Sequence, residues 1–223
     1  MRIRLFAFDL DGTLLDTAPD FFKAVNKLRN KYSLGEADYD QVRCRVSQGA
    51  ASLATYALDL EGQSPEKIEI HRQELLKIYE ECCLDNTDLF KGIEEVLNKL
   101  NAEKVKWGII TNKPRKFAEL IVYNKLGDFE IPFLICPDDV GVRKPKPDGL
   151  LHALDLSRTK SIESIYIGDH RIDVMAGKSA DMITGAAAYG YIPMGDNVKS
   201  WDADFIFSHP EEILNLIKND RRN

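Results

Sequence analysis

Six short apolar runs set the strongest limit on how this chain folds: IRLFAF (3–8), VKWGII (105–110), FLIC (133–136), SIYIG (164–168), MITGAAA (182–188) and FIF (205–207). Several are apolar on successive residues, so both faces of those strands need cover. The segments between them carry helical periods. Ile93, Val96, Leu97 and Leu100 share one stripe, and Pro114 can open a helix carrying Phe117, Leu120 and Ile121. Strands alternating with helices build an α/β fold with a doubly wound, mostly parallel sheet of Rossmann-like type.

One region breaks the alternation. From about residue 17 to 86 the apolar spacing is helical throughout, with Phe22, Val25, Leu28 and Tyr32 as one set. Val42, Val46, Leu53 and Ala57 make a second, and Leu75, Ile78, Tyr79 and Cys82 a third. Roughly seventy residues without a strand exceed an ordinary α/β connection. The expectation is a helical cap over 17–86, inserted into a catalytic α/β core made of 1–16 and 87–223. A chain of 223 residues can bury both.

Net charge is −6, which argues against a general nucleic-acid binder, and the short Arg221–Arg222 tail reads as solvated. No apolar run approaches the ~20 residues that span a bilayer. Asp9 and Asp11 interrupt the apolar stretch that a signal peptide would need. A cytoplasmic protein with neither membrane nor nucleic-acid partner is expected. Cys44, Cys82, Cys83 and Cys136 form no CxxC pair and read as reduced packing residues.

The first run ends in DLDGT, which sets Asp9 and Asp11 one residue apart before Gly12. Two such acids repel unless a cation or a shared proton is present. The stretch is therefore either a solvated turn or a site for a metal and a nucleophile. Ligands of open α/β sheets bind beyond the carboxyl ends of the strands, so the residues after each strand matter most. The second run is followed by Thr111, Asn112 and Lys113, and the third, after GVRKPKP begins, by Lys144. The fourth is followed by Gly168, Asp169, His170 and, one helical turn on, Asp173.

Each of these has a plain structural reading. TN is a common turn, KPKP an extended loop, and GDHRID a helix start with Asp169 as cap. Four successive strand ends supplying three carboxylates, a hydroxyl and a lysine point instead to one chemical site. Carboxylates with substrate phosphate suit Mg²⁺, and a carboxylate can attack phosphorus to form an aspartyl phosphate. A lysine and a hydroxyl stabilise the transferring group, and a second acid can protonate the leaving oxygen and then activate water. The set reads as phosphoryl transfer.

DLDGT, TN, KPKP and GDxxxD together resemble the haloacid dehalogenase superfamily over essentially the whole chain. The resemblance implies Asp9 as nucleophile and Asp11 as acid/base, with Asp9, Asp169 and the Asp11 carbonyl holding Mg²⁺ and Asp173 supporting them. It implies that Thr111 and Lys144 hold the phosphoryl group, helped by amides of Asp11, Gly12 and Asn112. It also implies a helical cap closing over a small phosphomonoester. DGTLLDTAPDFFKAV, GAASL, GDHRIDVMAGKSADM, YGYI and WDADFIFSHPEEIL are similar to the phosphoglycolate phosphatase branch. VSQGA, KWGIITNKPRKFA, FLICPDDV and the spacing from YGY to WDAD also resemble N-acetylmuramic acid 6-phosphate phosphatases. The resemblance implies a phosphoglycolate phosphatase-like activity first, with N-acetylmuramic acid 6-phosphate as the alternative substrate. His170 and Asp181 depart from the usual pattern, Asp181 standing where a helix-ending glycine is common.

Lys113, Arg115, Arg45 and Gln48 are the candidates for gripping the leaving group. For Arg45 and Gln48, as for Arg43, the plain alternative is a solvated helix face. A sugar phosphomutase of the same superfamily is an alternative activity. A phospho-accepting receiver module is the non-enzyme alternative, but it lacks the helical insertion and the paired acids with GT on the first strand.

Overall fold

A computed structural model describes residues 2–217. β1 (Leu5–Phe8) leads to a two-residue strand β2 (Leu15–Asp16) and then to four helices: α1 (Ala18–Lys31), α2 (Tyr39–Arg43), α3 (Ala50–Ala57) and α4 (Pro65–Glu80). The chain returns through β3 (Asp88–Leu89). It then alternates through α5 (Ile93–Ala102), β4 (Lys106–Ile110), α6 (Arg115–Lys125), β5 (Leu134–Ile135), α7 (Pro137–Val140) and α8 (Asp148–Ser157). It continues with β6 (Ser164–Gly168), α9 (Arg171–Ser179), β7 (Ile183–Ala187) and β8 (Phe205–Phe207). The Arg221–Arg222 tail lies outside the described residues.

All six apolar runs are strands of one sheet, ordered β5-β4-β1-β6-β7-β8 and parallel at every pairing. β1 shows why its run is continuous. Phe6 and Phe8 join the large cluster on one face, while Leu5 and Ala7 join the cluster under α8 and α9 on the other. The antiparallel pair β2–β3 was not legible, since two residues per strand carry no period. It ties the chain together where it leaves the core and where it returns.

The three apolar sets of the insertion lie on or next to its helices and pack into the large cluster, with Tyr32 the exception at 43% exposure. α4 begins with Ser64 accepting from the Lys67 amide and Pro65 in its first turn, a strong start signal. α1 has no side-chain cap of its own. Instead, the Thr17 and Ala18 amides donate to the hydroxyl of Tyr191 at 2.6 and 2.9 Å, and that hydroxyl donates to Asp16 Oδ1 at 2.7 Å. The four cysteines are free and buried, and Asp181 takes the left-handed conformation with φ 55°. No helix among the described residues is long and apolar enough to cross a membrane.

Asp20, fully buried in α1, pins the return crossing. Its Oδ1 accepts from the Asn86 backbone and side-chain amides, and its Oδ2 from the Thr87 amide and hydroxyl, all at 2.8–3.0 Å. Removing the carboxylate orphans buried donors, at about 1–3 kcal/mol for each group left unsatisfied. Asp20→Ala is expected to lower unfolding stability by about 2–4 kcal/mol, read from urea denaturation. An unchanged midpoint would show that the crossing is held by packing alone.

Candidate active site

β1 lies between β4 and β6, and the sheet order runs outward from it in both directions. That reversal opens the crevice where doubly wound sheets receive ligands. Asp9 and Asp11 follow β1, Thr111 and Asn112 follow β4, and Asp169 follows β6, so the topology itself gathers them. Lys144 comes from the loop between α7 and α8, and Asp173 from the first turn of α9.

Asp9, Asp169 and Asp173 are buried, with one oxygen of each within 4.8 Å of the others. Lys144 Nζ lies 2.9 Å from Asp9 Oδ1 and 2.7 Å from Asp173 Oδ1, and donates to the Tyr166 hydroxyl at 2.7 Å. One ammonium thus pairs with two of the three clustered carboxylates. Burial opposes the lysine's charge, but Asp173 and Asp9 outweigh it and make Lys144 more basic than usual. Burial pushes the Asp9 carboxyl up to about 7, with Lys144 pulling against the rise and Asp173 adding to it. Asp169 is held well above the carboxylate range, first by burial and then by the charges of Asp9 and Asp173. A buried surplus of hard oxygen donors over cations fits a divalent ion such as Mg²⁺.

Asp11 is anchored differently. Its Oδ1 accepts from Thr17 Oγ1 at 2.6 Å and pairs with Lys113 Nζ at 2.9 Å. Lys113 Nζ also sits 4.9 and 4.8 Å over the rings of Phe21 and Tyr79, which stack with centroids 3.9 Å apart. Both bonds fall on Oδ1, so the other oxygen is uncommitted while Asp11 lines the cavity. That cavity, about 690 Å³, runs from Asp9, Thr111 and Lys144 up to residues of α3 and α4.

The structure places most of the residues expected from the sequence in one site, with three corrections. The Gly12 amide donates to the Leu15 carbonyl at 2.9 Å, because the chain doubles back after β1, and is not directed at a phosphate. Gly12 matters for another reason: at φ +79° a Cβ would collide with Asp169 Oδ2. Arg45 bonds the Gln41 carbonyl and side chain and lies over Tyr56, so it serves the insertion's own packing. Arg115 is taken up by Asp139, Glu119 and the Leu134 carbonyl at the sheet edge. Asp173, expected to support the metal residues, has its oxygens on Lys144 and the His170 amide while belonging to the same carboxylate cluster as Asp9 and Asp169.

Gln48, Lys113 and Thr111 line the cavity. Asn112 lines it too, and its side chain brackets the backbone of Lys144, accepting from its amide at 2.9 Å and donating to its carbonyl at 3.2 Å. His170 caps α9, its Nδ1 accepting from the Ile172 amide, and burial pulls its pKa down. Other residues had no expected role. Ser47 donates to Asp169 Oδ2 at 2.8 Å, reaching the buried acids from the insertion, and the Tyr191 amide donates to the same oxygen at 2.8 Å. Both stand in motifs visible in the sequence, VSQGA and YGYI, but the pairing is purely tertiary. Arg72 of α4 and Arg143, the residue before Lys144, also line the cavity and had no expected role.

Residues 6–187 match the haloacid dehalogenase-like hydrolase family. The chain belongs to it. This haloacid dehalogenase-like hydrolase is 39% identical to an N-acetylmuramic acid 6-phosphate phosphatase of Pseudomonas aeruginosa, over 97% of this chain and 96% of that protein. It is 36% identical to a phosphoglycolate phosphatase of Xanthomonas campestris pv. campestris, over 94% of each. Its fold is that of a predicted phosphoglycolate phosphatase from Haemophilus somnus 129PT, with TM-score 0.86, 23% identity and coverage of 98% and 99%. The family and these relatives make it a phosphatase.

The raised Asp9 carboxyl has a measurable consequence. The unfolded chain releases that proton near 3.8 and the folded chain near 7, so the unfolded state is favoured as pH rises through that window. Metal-free protein is expected to lose stability between pH 4 and 7, and Asp9→Asn to reduce that loss and raise the melting temperature at pH 8. A lower melting temperature for Asp9→Asn at pH 8 would show that its pairing with Lys144 dominates instead.

Proposed function

We propose that this chain is a Mg²⁺-dependent phosphomonoester hydrolase working through an aspartyl phosphate on Asp9. Its substrate is a compact, acid-bearing sugar phosphate of the N-acetylmuramic acid 6-phosphate type. The observation that carries the substrate class is the cavity. With Ser47 seated on Asp169 and Arg43 donating to the Tyr189 carbonyl, the insertion is docked on the core, and about 690 Å³ remain. Sites that bury drug-sized ligands span roughly 300–1,000 Å³, far more than a two-carbon acid phosphate fills. The relative 39% identical over nearly the whole chain, and a second at 36% from Pseudomonas putida, carry that activity in their names. Phosphoglycolate is the second reading, favoured by the Xanthomonas relative.

In this reading residues 17–86 are the cap, and 1–16 with 87–223 the catalytic core. An Asp9 oxygen attacks phosphorus while the bond to the leaving oxygen breaks, and Asp11 gives that oxygen its proton. Asp11 then takes a proton from the water that attacks phosphorus, and the bond to Asp9 breaks. Lys113 and Thr17 hold Asp11 in place for both transfers. Lys144 and Thr111 lie where charge develops on the phosphoryl oxygens. The side chains of Asp9 and Asp169 with the Asp11 carbonyl would hold Mg²⁺, which when bound supplies further positive charge there.

Asp9→Asn is expected to show no detectable turnover, and Asp11→Asn to lose about 10²–10⁴-fold in kcat. Phosphate release followed over a panel of phosphomonoesters should show N-acetylmuramic acid 6-phosphate preferred over phosphoglycolate by at least ~10-fold in kcat/KM. The reverse preference would establish the second reading, and phosphoryl return to a sugar hydroxyl would make the enzyme a mutase. Mg²⁺ should raise the melting temperature of the wild type but not of Asp169→Ala. An equal rise in both would place the ion elsewhere.

A further inference from the structure

Four Lys and Arg side chains line the cavity: Arg72, Lys113, Arg143 and Lys144. Three are already matched to a carboxylate. Lys144 pairs with Asp9 and Asp173, and Lys113 with Asp11. Arg72 holds Glu69 at two points, Nε to Oε2 at 2.6 Å and a terminal nitrogen to Oε1 at 2.7 Å. Arg143 is the exception, an exposed guanidinium without a hydrogen bond or salt bridge among the described residues.

Its backbone is nevertheless held in place. Asn112 clamps the backbone of the next residue, Lys144, from both sides, and the Arg143 carbonyl accepts from the Lys146 amide at 3.0 Å. The Arg143 backbone is thus held one residue from the lysine beside Asp9, and its side chain lines the cavity. Glu69 of α4 lines the same cavity, and its carboxyl is held down to about 2 by Arg72 and Gln73, with a smaller contribution from Arg143. Glu69 already has Arg72 and Gln73 as hydrogen-bonding partners and leaves the fork of Arg143 unfilled.

We propose that Arg143 receives a carboxylate carried by the leaving group of the substrate, fixing which acid-bearing phosphomonoester enters. A planar guanidinium binds a carboxylate at two points with defined geometry, which a solvated ammonium does not reproduce. The proposal rests on the reading of this cavity as the site of an acid-bearing phosphomonoester. Arg45 and Arg115, the arginines the sequence suggested for this task, are occupied elsewhere.

The test compares kcat and KM on two substrate pairs, each an acid and its carboxylate-free counterpart. One pair is N-acetylmuramic acid 6-phosphate with N-acetylglucosamine 6-phosphate, and the other phosphoglycolate with ethyl phosphate. In Arg143→Gln, the ratio of kcat/KM for acid over neutral ester should fall by about tenfold or more, mainly through KM, in the pair whose acid the enzyme uses. Arg143→Lys should restore part of it. A ratio within about twofold of wild type, or equal losses on both members of a pair, would overturn the clamp. Wild-type use of phosphoglycolate alone would refute the sugar substrate while the second pair still tests Arg143. Preference for the neutral ester in both pairs, or hydrolysis of neither acid, would overturn both.

Discussion

Everything in this molecule is arranged around a charge imbalance: Asp9, Asp169 and Asp173 buried together against the single ammonium of Lys144. Such a cluster is a poor way to stabilise a fold, because removing ions from water costs several kcal/mol each after relaxation. It persists because the surroundings hold it. Tyr166 and the Ile110 carbonyl take up Lys144, the Leu10 amide serves Asp9, and Ser47 with the Tyr191 amide serves Asp169. The imbalance leaves room for an incoming cation and an electron-rich nucleophile. These are the components that transfer of a phosphoryl group to a carboxylate requires.

The helical insertion completes this cluster as well as covering it. Ser47 reaches Asp169, and Tyr79 accepts from Lys113, which in turn holds Asp11. Tyr191 links the same region in the other direction, its amide on Asp169 and its hydroxyl on the start of α1. A displacement of the insertion would therefore disturb the orientation of the buried acids. The docking contacts and the buried acids share one set of hydrogen bonds, and in the proposed reading the docked insertion would exclude water that competes with the chemistry.

The legible parts of the fold were those with a period. The sheet strands were visible as apolar runs, continuous in the central strands because both faces are buried, and the helices of the insertion because their apolar residues recur every three or four positions. β2 and β3 were not, because two residues each cannot show alternation and their pairing joins positions over seventy apart. Within the site, Asp9, Asp11, Thr111, Asn112 and Asp169 were legible from their place after a strand. Gly12 was assigned a phosphate-facing amide that the turn after β1 consumes, and Arg45 and Arg115 were assigned a substrate that their own neighbours replace.

The sequence by itself determined the sheet, its parallel direction and the identity of the strand-end groups, since these follow from local burial patterns and from short segments whose geometry the adjoining strand dictates. Tertiary structure alone decided who pairs with whom. Lys144 could have been a solvated loop lysine until Asp9 and Asp173 met it from two other elements. Lys113 was a cavity cation until the Asp11 carboxylate took it, and Arg143 became the unpaired one only because the other three found partners. Charge pairing over a few ångströms depends on the distance between segments far apart in the chain, and no local pattern encodes that distance.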